Sequence, residues 1–277
     1  MTWKPELEEL AERQRLAEKM GGELDARARI AGIVDEDSFR EIGKIAGRGT
    51  YAEDGTFEDF APSNLIFGRA NIDGRPVVAS ADDFTVRGGA ADAALHRKFT
   101  QCEKMAHTLG IPMIRMIDGT GGGGSVKSLE DMGFTYVPAV PGWEDIIKNQ
   151  DTVPVVALAL GPTAGMGAAR TVASHYSIMV RGLSQIFAAG PAVAAAIGDD
   201  LSKEQLGGSD IHSTNGVVDE EVASEAEAFV TARKFLSYLP SNVNQLSSRT
   251  ENWDPVDRRD ESLLSAVPRA DKQVYSM

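Results

Sequence analysis

Two strand-length apolar runs dominate the pattern of the chain: Ile111-Pro112-Met113-Ile114-Arg115-Met116-Ile117 and Val153-Pro154-Val155-Val156-Ala157-Leu158-Ala159-Leu160. Each predicts a buried strand. Each then opens into small residues. The first reaches Asp118 and continues as Gly119-Thr120-Gly121-Gly122-Gly123-Gly124-Ser125; the second continues as Gly161-Pro162-Thr163-Ala164-Gly165-Met166-Gly167-Ala168. Loops with so few Cβ atoms bring backbone N–H groups close to a ligand and aim several at one point. The repeated plan predicts that the two loops floor one site and that backbone amides do its chemistry.

Around these strands the periodicity changes along the chain. Residues 5–20 form an amphipathic helix opened by Pro5, with Leu7, Leu10, Ala11, Ala17 and Met20 on one side, and Gly21-Gly22 end it. A short helix follows over 25–34 with Asp25 as its N-cap, then a turn into a strand near Ile42. The polar, glycine-rich stretch 43–63 reads as irregular. Leu65–Ala70 and Val77–Ala81 read as a hairpin around Asn71-Ile72-Asp73-Gly74-Arg75-Pro76. Gly88-Gly89 then end that strand where the clearest helix, residues 90–109, begins; Gly110 stops it. A short turn or helix is expected at 127–133 and another helix from Trp143 to Asn149. Helical spacing returns at 167–175, with strands at Tyr176–Val180 and Gln185–Ala188. A small-residue helix follows from Gly190-Pro191 to Ile197, and a final amphipathic helix from Glu220 to Leu239. Residues 241–277 are polar and hold few apolar anchors, as in a tail or linker. Strand–helix alternation over 77–239 predicts an α/β layered fold.

Composition narrows the function. The 277 residues carry 28 Lys and Arg against 41 Asp and Glu, a formal net charge of −13. With no basic cluster, a nucleic-acid partner is not expected. Cys102 is the single cysteine, on an apolar helix face that suits a core position, so no disulfide framework and no cysteine-based zinc cluster is expected. The four histidines (His96, His107, His175, His212) are scattered, and no metal site is expected. No apolar run approaches membrane-spanning length, and the N-terminal residues do not resemble a signal peptide; a cytoplasmic protein is the default expectation.

The glycine loops admit several readings. Gly119-x-Gly121-x-x-Gly124 matches the dinucleotide fingerprint formally, but a run so rich in glycine matches many patterns by chance. A phosphate loop of the Walker kind needs Gly-Lys-Ser/Thr in succession, whereas Val126 precedes Lys127-Ser128 here. A flexible linker is disfavoured by the apolar strands on both sides. A paired amide site fits best. Asp118 is either a catalytic acid or, more commonly at a strand end, a cap on its own loop. Arg27 and Arg29 are either phosphate ligands or solvated helix charges. His212 is either catalytic or a satisfied loop histidine, with the second favoured.

Several stretches together are specific. Leu24-Asp25-Ala26-Arg27-Ala28-Arg29-Ile30, Val34-Asp35-Glu36-Asp37-Ser38-Phe39-Arg40-Glu41, Asp83-Phe84-Thr85-Val86-Arg87-Gly88-Gly89 and Gly161-Pro162-Thr163-Ala164-Gly165 recur in one family. So do Phe187-Ala188-Ala189-Gly190-Pro191, the stretch from Glu204 through Gly207-Gly208 to His212, and Leu236-Ser237-Tyr238-Leu239-Pro240-Ser241-Asn242. Over about residues 24–242 the chain resembles the carboxyltransferase (β) subunit of biotin-dependent acyl-CoA carboxylases, such as those acting on propionyl-CoA or acetyl-CoA.

The resemblance implies a crotonase-like fold, with repeated ββα units and two roughly perpendicular sheets surrounded by helices. It implies residues 1–242 as the N-terminal, acyl-CoA-binding domain and 243–277 as a tail or linker. Pro268 to Tyr275 resembles the joint to a biotin-binding C-terminal half, so the chain is expected to be one half of a longer or split enzyme. The implied activity is carboxylation of a short acyl-CoA from carboxybiotin, with the enolate held by amides of Gly121, Gly122 and Gly123 in the first loop and Gly165 and Met166 in the second. Arg27, Arg29, Gly88, Gly89 and Ala164 are the implied CoA contacts. No covalently bound cofactor is implied. The implied partners are a biotin carboxylase with its biotin carboxyl carrier, the C-terminal half, and further copies in a trimer or hexamer. Two alternatives stand beside it: a decarboxylase component of a biotin-linked complex, and a non-catalytic CoA-binding or assembly domain. The chain departs from the family in its longer first loop, which lacks the usual Arg, and at Met166, where the family has a second glycine.

Overall fold

The computed structural model describes residues 4–19, 25–89, 96–120, 133, 142–249, 251, 253–270 and 272–274. The chain opens with α1 (Lys4–Lys19) and α2 (Ala26–Ile33), followed by β1 (Arg40–Glu41), β2 (Gly47–Tyr51), β3 (Phe57–Pro62), β4 (Leu65–Ile72) and β5 (Arg75–Asp82). A 3₁₀ turn at Arg87–Gly89 leads towards α3 (His96–Leu109) and β6 (Met113–Thr120). Next come α4 (Trp143–Thr152), β7 (Val155–Ala164), α5 (Met166–Val172), β8 (Tyr176–Val180) and β9 (Gln185–Phe187). The last elements are α6 (Pro191–Ala196), α7 (Lys203–Gly207), α8 (Ser209–Thr214), β10 (Glu220–Val222), α9 (Glu225–Ser237) and α10 (Leu263–Ala266).

The main sheet has the order β1-β4-β5-β6-β7-β8-β10, with β9 branching from β7, and β2–β3 form a separate two-stranded sheet. The pairs β5–β6, β6–β7, β7–β8, β7–β9 and β8–β10 are parallel; β1–β4 and β4–β5 are antiparallel. Helices cover both faces of the central strands. On one side Ile114, Met116, Val156 and Leu158 pack with Ile30 and Ile33 of α2 and Ala228, Ala232 and Leu236 of α9. On the other, Met113, Val155 and Val78 pack with Cys102 and Ala106 of α3. Strands buried on both faces need apolar residues at successive positions, which is why the two runs do not alternate. Cys102 is a core residue as expected, and burial pushes its thiol well above the usual range.

Two expectations are corrected. Residues 43–63 are not irregular: β2 and β3 pair antiparallel, with Gly47 facing Pro62 and Gly49 facing Phe60. Phe60 is the one fully buried residue of the hairpin, so too little of it alternates for the pattern to show. The helix expected over 220–239 begins only at Glu225. Residues 220–222 instead pair with β8. Ser224 then caps α9 by accepting from Glu227 N–H at 3.2 Å, while the Glu227 carboxylate accepts from Ala223 N–H at 2.8 Å. Such a cap fixes a helix start against the helical propensity of the residues before it. At its other end the Arg75 guanidinium donates to the Leu236 and Leu239 carbonyls. The described part of the helix expected over 90–109 starts at His96, and the turn expected at 127–133 lies outside the described residues apart from Gly133.

The chain divides into two units, Met1–Leu246 and Ser247–Met277. The second unit carries the single helical turn α10 and exposes Trp253, Leu263 and Leu264.

Candidate functional site

The C-terminal ends of β6 and β7 lie side by side, and their last residues, Thr120 and Ala164, pair in register. The two strands therefore end next to each other, running in the same direction. Glycines from four segments meet there. A Cβ on Gly89 would stand 2.4 Å from the Asp118 carbonyl oxygen, and one on Gly119 would stand 2.5 Å from the Gly89 carbonyl oxygen. One on Gly161 would stand 2.1 Å from the Asp118 carboxylate, and one on Gly167 would stand 2.9 Å from the Thr163 methyl group. Backbone from these segments packs at this point with no room for a Cβ.

Gly165 has φ 54° and ψ −113°, a conformation closed to residues with a Cβ, and it turns the chain from β7 into α5. Its own N–H donates to the Phe187 carbonyl at 3.1 Å. Of the two second-loop amides expected to hold an oxyanion, Gly165 is thus tied to β9. Met166 is the first residue of α5, behind a cap without a side-chain acceptor, so its N–H has no partner within the helix. Gly121, Gly122 and Gly123 lie outside the described residues.

The two arginines expected to hold CoA occupy different settings. Arg27, half-buried at the start of α2, pairs with Glu41 through two hydrogen bonds of 2.9 and 3.0 Å. Arg29 is only 4% exposed. It donates to the Asp118 carboxylate at 2.6 Å, to the Leu160 carbonyl at 2.8 Å and to Glu225 at 3.0 Å. Arg29 is therefore an internal brace with no face turned to a phosphate, a correction to its expected role. Gly88 and Gly89 both take positive φ (62° and 65°) in the 3₁₀ turn against the end of β6. Ala164 closes β7 beside Phe187 of β9.

Asp118 does not cap its loop among the described residues. One carboxylate oxygen faces Arg29; the other is buried against Gly161 without a hydrogen-bond partner there. Burial pushes its carboxyl up, while Arg29 pulls it down. His212 donates from Nε2 to the Ile186 carbonyl at 2.7 Å and so braces β9. No group of metal-ligating side chains occurs among the described residues, and no described helix is long and apolar enough to cross a membrane.

Residues 17–277 match the carboxyl transferase domain. The chain belongs to the carboxyl transferase domain family. It is 30% identical over 272 residues to the mitochondrial propionyl-CoA carboxylase beta chain of Rattus norvegicus, covering 94% of this chain and 48% of that protein. It is 28% identical over 262 residues to the methylmalonyl-CoA decarboxylase subunit alpha of Veillonella parvula, covering 92% and 50%. A crystal structure of transcarboxylase 12S with methylmalonyl-CoA and methylmalonic acid bound superposes with a TM-score of 0.75 at 26% identity, covering 99% of this chain and 55% of that one. The fold is thus the crotonase-like fold of carboxyltransferases, and the chain spans about half the length of the curated relatives it matches.

Sequence reasoning missed the buried charges that hold this carboxyl transferase domain together. Arg115 and Glu103 pair at 2.8 and 2.9 Å with essentially no exposure, and Arg170 pairs with Asp82 at 3.0 Å and stacks on Phe99. A signal for the first was present: an arginine inside an apolar run must find a buried acid. Lys98 of α3 is 6% exposed, and burial pushes its amine down to about 8, against the pull of Glu41.

That shift has a measurable consequence. An unfolded lysine keeps its proton up to about 10.5, whereas folded Lys98 gives its proton up at about 8. Between those values the unfolded chain binds more protons, so this group makes stability rise with pH. The full effect is on the order of 3 kcal/mol. Lys98→Met should be more stable than the parent below pH 8, and the advantage should shrink towards pH 10. Urea unfolding of both proteins across that range measures it; parallel pH curves would rule it out.

Proposed function

We propose that this chain is the acyl-CoA-binding half of a biotin-dependent acyl-CoA carboxyltransferase. The observation that carries the proposal is the pairing of the β6 and β7 ends, the points at which the two Cβ-poor stretches leave the sheet, with the Met166 N–H beside them without a helical partner. An acyl thioester seated there would become an enolate as its α-proton passes to the biotin left when carbon dioxide departs from carboxybiotin, and negative charge would grow on the thioester oxygen. Preset N–H donors stabilise that charge by about 3–4 kcal/mol each, because they need no reorganisation as the charge develops. In this reading the donors are Met166 from the second loop and one of Gly121, Gly122 and Gly123 from the first. Gly165 supplies the turn that aims the Met166 amide. Gly88, Gly89 and Ala164 let the CoA arm lie close to backbone, and Arg27 faces its phosphates. Carboxybiotin, brought by a biotin carboxylase and carrier partner, supplies the carbon dioxide. A C-terminal half supplies the biotin pocket, copies assemble as a trimer or hexamer, and the complex works in the cytoplasm. The transcarboxylase 12S hexamer supports the oligomeric part of the reading.

Calorimetric titration of the chain with acetyl-CoA, propionyl-CoA and NAD tests the proposal. Saturable heat with an acyl-CoA and none with NAD is the expected result. Heat with NAD alone would overturn it in favour of a dinucleotide site.

Similarity to the Veillonella parvula decarboxylase subunit favours a second reading, in which the same site stabilises the enolate left when a carboxyl group departs from a carboxyacyl-CoA. Tighter binding of methylmalonyl-CoA than of propionyl-CoA, with net loss of carbon dioxide in the assembled complex, would select it.

A further inference from the structure

The register of β6 against β7 breaks at one place. Ile117 faces Ala159, but two residues later Gly119 faces Thr163. Asp118 alone therefore stands opposite Leu160, Gly161 and Pro162. The two extra residues form a bulge in β7, and the strand changes partner across it. Val156–Ala159 pair with β8, whereas Pro162–Ala164 pair with β9. A bulge of this kind bends its strand and re-aims the chain beyond it. Gly165 and the Met166 amide lie just beyond this one.

Arg29 holds that bulge from both sides. One guanidinium nitrogen reaches the Asp118 carboxylate of β6 at 2.6 Å, and another reaches the Leu160 carbonyl of β7 at 2.8 Å. The third side of the fork is fixed by Glu225 of α9, at 2.7 and 3.0 Å. Gly161 completes the fit, since any side chain there would collide with the Asp118 carboxylate. A planar fork with five fixed donors can satisfy all these acceptors at once; a lysine ammonium, as a single point, cannot span them.

From this we infer that Arg29 is a positioning residue: by clamping Asp118 to Leu160 across the β7 bulge, it sets the aim of the Met166 amide towards an acyl thioester oxygen. The inference rests on the assignment of the two small-residue loops to an acyl-CoA site. It makes Arg29 act on catalysis without touching substrate, through the aim of the Met166 amide.

The test is isotope-edited infrared spectroscopy of propionyl-CoA labelled with carbon-13 at the thioester carbonyl, bound to the full chain. Two converging N–H donors move the carbonyl stretch to lower wavenumber. The parent protein should show this shift. Arg29→Lys should bind propionyl-CoA within ~3-fold of the parent, yet lose at least half of the shift. A second variant, Arg29→Met with Asp118→Leu, removes the fully buried pair and leaves without its partner only the Glu225 carboxylate, which at 30% exposure reaches solvent, so it guards against simple unfolding of the first. It should lose the shift as well while keeping a cooperative melt. A merely structural role would lower the melting temperature and the affinity together without separating the shift from binding. Full retention of the shift in both variants would overturn the inference while leaving the site assignment standing. A parent protein that binds propionyl-CoA without any carbonyl shift would instead refute the paired-amide site, and a parent that binds no acyl-CoA would refute the proposed function; either result takes the role of Arg29 with it.

Discussion

Met166→Pro is expected to lower turnover of the assembled enzyme by about 10²–10³-fold, the loss typical of removing one oxyanion donor, while leaving the fold nearly intact. The substitution suits its place. Met166 is the first residue of α5, where proline's fixed φ is already helical and its missing N–H breaks no helical bond. Gly165, just before it, has φ 54° and ψ −113°, the mirror image of an extended residue, and so meets the demand that proline places on its predecessor. The change therefore deletes one donor and little else. Steady-state kinetics alongside thermal melting provide the check: kcat should fall with the melting temperature within a few degrees of the parent. Unchanged kcat would place the oxyanion elsewhere.

Arg115→Met should cost about 3–5 kcal/mol of stability, the range for removing one partner of a buried ion pair. Arg115 has no exposure and Glu103 only 1%. Without the guanidinium, the Glu103 carboxylate keeps the Asn149 amide at 2.9 Å and loses its counter-charge. The Arg170 carbonyl (3.2 Å) loses the guanidinium donor as well, and the Ala173 carbonyl, at the end of α5, keeps only the Gln150 amide at 2.6 Å. The urea midpoint should drop accordingly. The double variant Arg115→Met, Glu103→Leu should recover much of the loss, because no isolated charge then remains buried. A single variant that unfolds at the parental midpoint would show that the pair holds nothing.

Both predictions start from the same two apolar runs, and they mark the limit of what those runs disclose. The strands themselves were legible, because burial on two faces demands unbroken apolar sequence, and Ile111–Ile117 and Val153–Leu160 supply it. The helix over His96–Leu109 was legible from its one-sided pattern, and the stop at Gly110 from glycine's positive φ of 61°. The β2–β3 hairpin was not, since exposed strands carry no burial pattern to read. Nor was β10, where three residues with helical propensity are drawn into the sheet by β8 and released only at the Ser224 cap.

The candidate site divides in the same way. Amino-acid types alone determined that two strands end in Cβ-poor stretches, that Gly165 precedes a helix start and that one cysteine is core; the family of carboxyl transferases followed from the resemblance of several stretches taken together. Only the tertiary structure decided which amide is engaged by β9 and which arginine is a brace. Gly165 and Met166 are equivalent as sequence, but Phe187, 22 positions on, takes the Gly165 N–H. Arg27 and Arg29 sit two positions apart on one short helix, so their side chains diverge; one meets Glu41 near the surface, and the other meets Asp118, Leu160 and Glu225 in the interior. Local sequence sets propensity and burial because these depend on a residue and its near neighbours. The fate of a single donor depends on which distant acceptor the fold brings within 3 Å, and that is settled only when β6, β7, α2 and α9 pack together.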